Sequence, residues 1–184
     1  THNTNVNEKI IVNDLIFNSD PIISKKGFRN TYTYLFKNSN TDSSNSSNYK
    51  EGMDNKIDLL FEYSTSYPLI KKSERFNTTL GPLMTFKYSP NNSKNMADDD
   101  IRLDINNIFA FNRLGTSTSV EGGASLTYGI DYSKSDKSDN EIIGLKIASI
   151  FRPEEDKKLP KKSGLNSKSS DIVGNFNFQP NNNL

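Results

Sequence analysis

The 184-residue chain contains no cysteine and no tryptophan, and its only histidine, His2, stands near the start. Without cysteine it can form neither a disulfide nor a thiolate metal site, and a terminal histidine argues against a Ser-His-Asp triad. No apolar run approaches the roughly 18 residues of a membrane helix. We therefore predict no catalytic, metal or cofactor-binding residues, and we expect the protein not to be an enzyme.

Neither sign of charge predominates, because 23 Lys and Arg residues nearly balance 22 Asp and Glu residues and give a net charge of +1. This balance argues against a nucleic-acid partner, for which a basic surface is expected. The chain begins Thr-His-Asn without Met and shows no signal peptide, so we expect it to be a piece of a longer protein.

Hydrophobic residues make up only 33% of the chain, and the mean hydropathy is −0.71. Disorder usually combines low hydrophobicity with high net charge and few aromatics, whereas this chain has 11 Phe and 8 Tyr. The polar residues are mostly Asn and Ser in candidate loops, and the aromatics fall in alternating segments. This distribution is typical of an antiparallel sheet with one solvent-exposed face, or of a membrane barrel with a polar lumen.

The clearest strand runs over 123–133, where apolar and polar side chains alternate without exception over eight residues. Replacing Tyr128 or Ile130 of this strand with arginine should lower the stability of the folded protein by roughly 2–4 kcal/mol near a bilayer midplane. The same change at Thr127 or Asp131 should lower it far less. The residues predicted to face lipid are Leu126, Tyr128, Ile130 and Tyr132, with Ser125, Thr127, Gly129 and Asp131 on the other face.

About eight segments share this alternation, many of them near the ten residues that a tilted strand needs to cross a bilayer. Tyrosines at the ends of apolar faces suit interfacial girdles. We therefore predict an all-β fold, a partial antiparallel transmembrane β-barrel of about eight strands. The polar segments 38–55 and 89–100 are predicted as loops. The predicted strands are 8–17, 28–37, 56–66, 75–88, 101–106, 123–133, 141–151 and 170–179.

The polar faces of these strands carry charges, which a water-filled lumen accepts and a dry core would not. Exposure to solvent on a soluble sheet is the alternative reading of the same pattern. Loop lengths do not alternate cleanly between short and long along the sequence, so the turns cannot be assigned to one side of a membrane. The candidate lumen-facing residues are Asp58, Glu62, Lys87, Asp131 and Lys146.

Three groups of charged residues are candidate sites. Asp98–Asp100 could bind a divalent cation through oxygen ligands, although a solvated loop is the simpler interpretation. A basic cluster (Lys157, Lys158, Lys161 and Lys162) could meet phosphate groups, or could equally be a solvated loop. Asp58 and Glu62 share a strand face, but in a lumen they would hold water and charged partners rather than perform acid–base catalysis.

Residues 107–115 resemble an LF…R(F/Y)SG.DR segment, and 120–129 resemble an R.E.GN/T…YG continuation. Both patterns are those of the outer-membrane lipopolysaccharide-assembly family LptD, also called OstA, which these segments resemble. Residues 66–69 and 80–82 resemble its YPL and L.P elements. Residues 159–174 resemble LP..SGL…SD.VG, a form associated with the alphaproteobacterial branch. Residues 116–119 depart from the family's Asp-Arg pair, so no role is transferred there. The matching motif residues are Asn107, Phe109, Arg113, Gly115, Glu121, Gly122 and Gly129.

The resemblance implies that residues 1–184 are part of a large C-terminal barrel domain in the outer membrane of a Gram-negative bacterium. It implies transport of lipopolysaccharide into the outer leaflet without covalent chemistry. Its implied partners are lipopolysaccharide, the surrounding lipids, an LptE-like lipoprotein plug, and a periplasmic Lpt bridge reached through an N-terminal domain outside this chain. The alternatives are a porin or receptor barrel, a soluble β-sandwich that binds glycans or acts as an adhesin, and an outer-membrane hydrolase.

Overall fold

The computed structural model describes residues 5–162 and 164–179, which form one antiparallel sheet of nine strands. The prediction of an all-β antiparallel fold is confirmed. The sheet does not close on itself, which agrees with part of a barrel wall. The strands are β1 (Asn7–Asn18), β2 (Ile22–Ile23), β3 (Arg29–Ser44), β4 (Gly52–Ser66), β5 (Leu69–Lys72), β6 (Asn77–Ser89), β7 (Gly123–Ser135), β8 (Glu141–Phe151) and β9 (Val173–Phe178).

The main strands lie side by side in chain order, β1-β3-β4-β6-β7-β8-β9, while the short β2 and β5 pair with β3 and β6. Every pairing between these strands is antiparallel. Within the described residues, β1 and β9 each have one unpaired edge. No helix in the described part of the chain is long and apolar enough to span a membrane.

The connections differ sharply between the two ends of the sheet. One end is turned by 19–28, 67–76 and 136–140. The other end carries 45–51 and two long segments, residues 90–122 (inner loop 1) and 152–172 (inner loop 2). The lengths do not alternate cleanly, because 45–51 is shorter than 19–28 and 67–76, but both long connections leave the same end.

The sheet has one exposed apolar face, called the outer face here, and one polar face covered by the inner loops. The core lies between the loops and the polar face of β8, rather than between two sheets. Its members are Met96, Leu103, Ile108, Leu114, Ala148, Ile150, Leu159 and Leu165. A smaller cluster joins Leu35 and Leu60 to Val120 of inner loop 1.

Two sequence-based predictions fail for identifiable reasons. Residues 101–106 are not a strand; they belong to inner loop 1, where Leu103 is part of the core and Ile105 packs against it. Residues 38–55 are not one loop, because β3 continues to Ser44 and β4 begins at Gly52. Their backbone groups are paired, for instance at Thr41↔Asp54, and Asn and Ser side chains do not prevent that pairing.

A candidate functional site between the sheet and its inner loops

Inner loop 1 is held on the sheet by Arg113, which also forms a buried ion pair with Glu121 of the same loop. Arg113 Nε donates to Glu121 Oε2 at 2.8 Å, and its Nη2 donates to Glu121 Oε1 at 2.5 Å. The same guanidinium donates to Thr127 Oγ1 at 2.8 Å and to Ser125 Oγ at 2.7 Å on β7. A bidentate arginine fork of this kind fixes orientation as well as distance. Arg113 and Glu121, both in the motif segments, therefore bind each other, and Arg113 also binds the polar face.

Inner loop 2 joins this cluster through Arg152, which the sequence analysis did not identify. Arg152 Nη1 donates to Glu121 Oε1, and its Nη2 donates to the carbonyl oxygen of Gly122 at 2.6 Å. Arg152 follows directly after the apolar end of β8, and that position is the only sequence signal that could have identified it. Glu121 thus links both inner loops, and we call Arg113, Glu121 and Arg152 the ion cluster.

Two lysines of the sheet hold inner loop 1 by its backbone. Lys87 Nζ donates to the carbonyl oxygens of Ala110 and Phe111, and it lies 3.3 Å from Glu62 Oε2. Lys37 Nζ donates to the carbonyl oxygen of Ser117 at 2.6 Å and also pairs with Asp14 at 2.8 Å. Because both lysines are buried, these contacts replace water that the ammonium groups would otherwise bind.

The five candidate lumen-facing residues lie on the polar face, in two different environments. Glu62 and Lys87 are covered by inner loop 1, whereas Asp131 and Lys146 form a half-exposed pair at 3.3 Å beyond it. Asp58 is 0% exposed; Lys56 Nζ lies 3.0 Å from its Oδ2, yet neither carboxyl oxygen accepts a well-aligned hydrogen bond among the described residues. The apolar set of β7 lies on the outer face, where Ile130 is 50% exposed.

Thr127 corrects one mutational expectation. It is completely buried beneath inner loop 1 and accepts a hydrogen bond from Arg113. Arginine at this position would meet a filled and already cationic space, so it should not be tolerated better than arginine at Ile130. Asp131, which is half-exposed, remains the appropriate polar-face comparison.

The remaining motif residues affect the conformation of inner loop 1 and its contact with the sheet. Asn107 caps a local turn by donating to the carbonyl oxygen of Arg102 at 2.8 Å, and Gly115 has φ +65°. A Cβ at Gly122 would collide with the backbone of Asn91 and Ser93. These residues determine how inner loop 1 folds back onto the sheet.

Gly129 makes room for Phe109. A Cβ at this position would lie 2.6 Å from Ile147 O and 3.1 Å from Phe109 Cζ. We expect Gly129→Ala to lower the free energy of unfolding by about 1–3 kcal/mol through overpacking. Gly81→Ala is the matched control, since its Cβ would stand 3.7 Å from Asp131 O, an ordinary contact. Equal losses in chemical denaturation of the full-length protein would contradict this account.

Because of Glu121, the attachment of the inner loops to the sheet should weaken in acid. Burial alone raises the pKa of Glu121, but the cations of Arg113, Arg152 and Lys87 outweigh it and bring the pKa below 4.5. A carboxyl with a lowered pKa contributes stability that is present above its unfolded pKa and is lost as pH falls through the folded value. We expect limited proteolysis of the inner loops to increase below pH 4.5 and not between pH 5 and 8. No increase on acidification would contradict a paired Glu121.

Two members of the acidic triplet form ion pairs with two lysines of the basic cluster. Lys161 Nζ lies 3.0 Å from Asp98, and Lys162 Nζ lies 3.0 Å from Asp100. These contacts join inner loop 2 to inner loop 1. Among residues 5–162 and 164–179, no group of three or more metal-ligating side chains has suitable geometry.

This arrangement can hold two loops against a polar wall, but its ionic groups are engaged with one another rather than aimed at a reacting atom. A comparison with curated proteins finds no match. The family model LptD, described as LPS transport system D, matches residues 17–184. That family consists of outer-membrane transport and assembly proteins, not of known enzymes. Because the match covers most of the sequence, the chain belongs to the LptD family and has a role in lipopolysaccharide transport.

Proposed function

We propose that residues 1–184 form part of the wall of a C-terminal transmembrane β-barrel that delivers lipopolysaccharide to the outer leaflet of the outer membrane. The observation that carries the proposal is the opposite character of the two faces of one sheet. In a soluble protein, an apolar face of this size would be covered, since large exposed apolar patches are rare. Here the polar face is covered and the apolar face is bare.

The outer face supports contact with lipid. Phe17, Tyr34 and Phe61 lie in one row across β1, β3 and β4, and Phe61 pairs with Tyr88 of β6. Phe17, Tyr34 and Tyr88 are exposed to between 47% and 60%. Outward apolar residues with aromatics near the ends are typical of barrel walls in a bilayer.

The polar face supports a hydrated passage with an internal barrier. Charged side chains line it, and the inner loops occupy the part nearest the end where both long connections lie. Long connections are typical of the extracellular side of bacterial barrels, so we assign that end to the cell surface. The ion cluster holds the loops in place, and transport needs no covalent step.

The proposed partners follow from this assignment. Lipopolysaccharide would pass along the polar face, and outer-membrane lipids would surround the outer face. An LptE-like lipoprotein would occupy the remaining interior, and a periplasmic Lpt bridge would deliver substrate through an N-terminal domain of the parent protein. A porin-like role is less well supported, because the inner loops cover part of the polar face that would line an open diffusion channel.

The test is depletion of the full-length protein in its native bacterium, with surface lipopolysaccharide measured by a membrane-impermeant label. We expect surface labelling to fall while total lipopolysaccharide persists, and wild-type protein to restore it. Unchanged surface lipopolysaccharide together with slower uptake of small solutes would overturn the proposal in favour of a porin. Purified full-length protein that stays dispersed without detergent would favour a soluble glycan-binding module.

A further inference from the structure

The half of β4 nearest the inner loops has a free edge in the middle of the sheet. β4 pairs with β3 along its whole length, from Gly52 to Ser66, but with β6 only from Phe61 to Ser66. Among the described residues, no strand lies beside 52–60 on the β6 side. Strands that continued the sheet beyond β1 or β9 would not reach this edge, because β4 lies between β3 and β6.

A side-chain amide already takes one place of the missing strand. Asn91 Oδ1 accepts from the backbone N–H of Leu59 at 2.8 Å, and its Nδ2 donates to the carbonyl oxygen of Ile57 at 2.8 Å. Successive residues of a strand point their backbone groups to alternate sides, so those of Met53 and Asn55 also point away from β3. The edge therefore presents the N–H and C=O groups of two further, exposed residues at the spacing of a strand ladder.

The side chains along this edge lie on two faces of opposite character. Met53 and Ile57 lie on the outer face and are 87% and 48% exposed. Asp54 and Lys56 lie on the polar face, where they line a cavity of about 350 Å³ between connection 45–51 and inner loop 1. The side chains of a strand placed beside β4 would alternate between the same two environments, because cross-strand neighbours share a face.

The cavity carries an excess of positive charge. Lys50, Lys56 and Lys94 line it, and Asp54 is the one acidic residue in its described lining. Lys56 is paired with the buried Asp58 at 3.0 Å. Lys50 and Lys94 form no ion pair within the described part of the chain. A carboxylate that entered the cavity from a neighbouring strand would therefore meet two unpaired ammonium groups.

We propose that an extended segment of a partner protein adds as a strand to the free edge of β4, with acidic side chains in the cavity and apolar side chains beside Met53 and Ile57. Strand addition takes its affinity from backbone hydrogen bonds and its specificity from pockets for alternate side chains. Acyl chains and sugars lack N–H and C=O groups at strand spacing, so the edge selects a polypeptide. The inference goes beyond the proposed function and does not rest on lipopolysaccharide transport.

The experiment measures the binding of labelled peptides to the full-length protein in detergent by fluorescence anisotropy. The probe is an eight-residue peptide in which valine and glutamate alternate, and lysine replaces glutamate in a charge control that should not bind. In antiparallel pairing, the kind found throughout the described sheet, the valine amides face β4. We expect N-methylation of the valine amides to lower the affinity about tenfold, and N-methylation of the glutamate amides to change it less than about twofold.

Two pairs of protein variants test the edge and the cavity separately. Asn55→Pro removes the N–H that points away from β3, whereas Asn55→Ala keeps it, so only the proline variant should lower the affinity, by about fivefold. The double variant Lys50→Gln, Lys94→Gln should lower it about tenfold. Its control is Lys25→Gln, Lys26→Gln, which removes the same charge from an exposed segment at the other end of the sheet.

Equal affinity for the two methylated peptides would overturn strand addition, and equal affinity for the glutamate and lysine peptides would overturn the role of the cavity. Binding of inorganic phosphate without binding of the glutamate peptide would show an anion pocket only, which also contradicts the inference. Unfolding curves of each variant show whether a loss reflects misfolding. The methylated peptides test the edge in the wild-type protein, so the result does not depend on any variant.

Discussion

Replacing Glu121 by glutamine is expected to lower the free energy of unfolding by about 3–5 kcal/mol, the usual cost of removing one partner from a buried ion pair. Glu121 neutralises Arg113 and Arg152 in a place without bulk water, and Lys87 also stabilises its charge. Glutamine keeps the shape but leaves two buried guanidiniums without a counter-ion. The inner loops should then separate from the sheet.

Two measurements on the full-length protein in detergent check this prediction: chemical denaturation, and protease cleavage within 90–122 and 152–172. The control is Asp131→Asn, which breaks the half-exposed pair with Lys146 and should cost at most about 1 kcal/mol. Similar losses for the two variants would show that Glu121 does not hold the loops. Loop cleavage should rise in Glu121→Gln only.

Replacing Ile130 by arginine is expected to lower the free energy of unfolding by about 2–4 kcal/mol if this part of β7 lies near the bilayer midplane. Ile130 is 50% exposed on the outer face, so in water the same change would be nearly neutral. The loss would therefore report lipid contact rather than packing. Folding of the full-length protein into lipid vesicles gives the free energy directly.

Asp131→Arg is the matched control, because it places the same side chain one residue further along β7 on the polar face. It adds a cation beside Lys146, where both side chains are about half-exposed and repulsion is screened. Its cost should stay below about 1 kcal/mol. Equal costs at the two positions would contradict the assignment of the outer face to lipid.

The ionic interior explains the composition that made the sequence appear nearly too polar to fold. The apolar side chains are divided between the exposed outer face and a small core under the loops, while the sheet's covered face holds lysine, serine, threonine and carboxylates. Buried charges are tolerated when they are paired and hydrogen-bonded, as in the ion cluster. The attachment of the inner loops to the sheet therefore depends on matched charges as well as on buried apolar area.

The faces of β7 could be predicted from the sequence because a strand repeats every two residues, and period two over eight residues leaves one register. The ends of β3 and β4 could not, because Asn and Ser give no periodic signal even where their backbone is paired. Residues 101–106 show the converse failure: alternating side chains fill a core without any strand. The family motifs marked Arg113 and Glu121, but only the fold brings them together with Arg152.

The central claim is that one face of β7 meets lipid while the other lies beneath the inner loops. Because residues 1–184 contain no cysteine, single cysteines at 124–133 in a full-length protein without other accessible cysteines can carry nitroxide labels in lipid vesicles. We expect high collision with oxygen and low collision with a water-soluble nickel reagent at 126, 128 and 130, and low collision with both reagents at 125 and 127. Free access of the nickel reagent to 126, 128 and 130 would contradict the membrane-wall account.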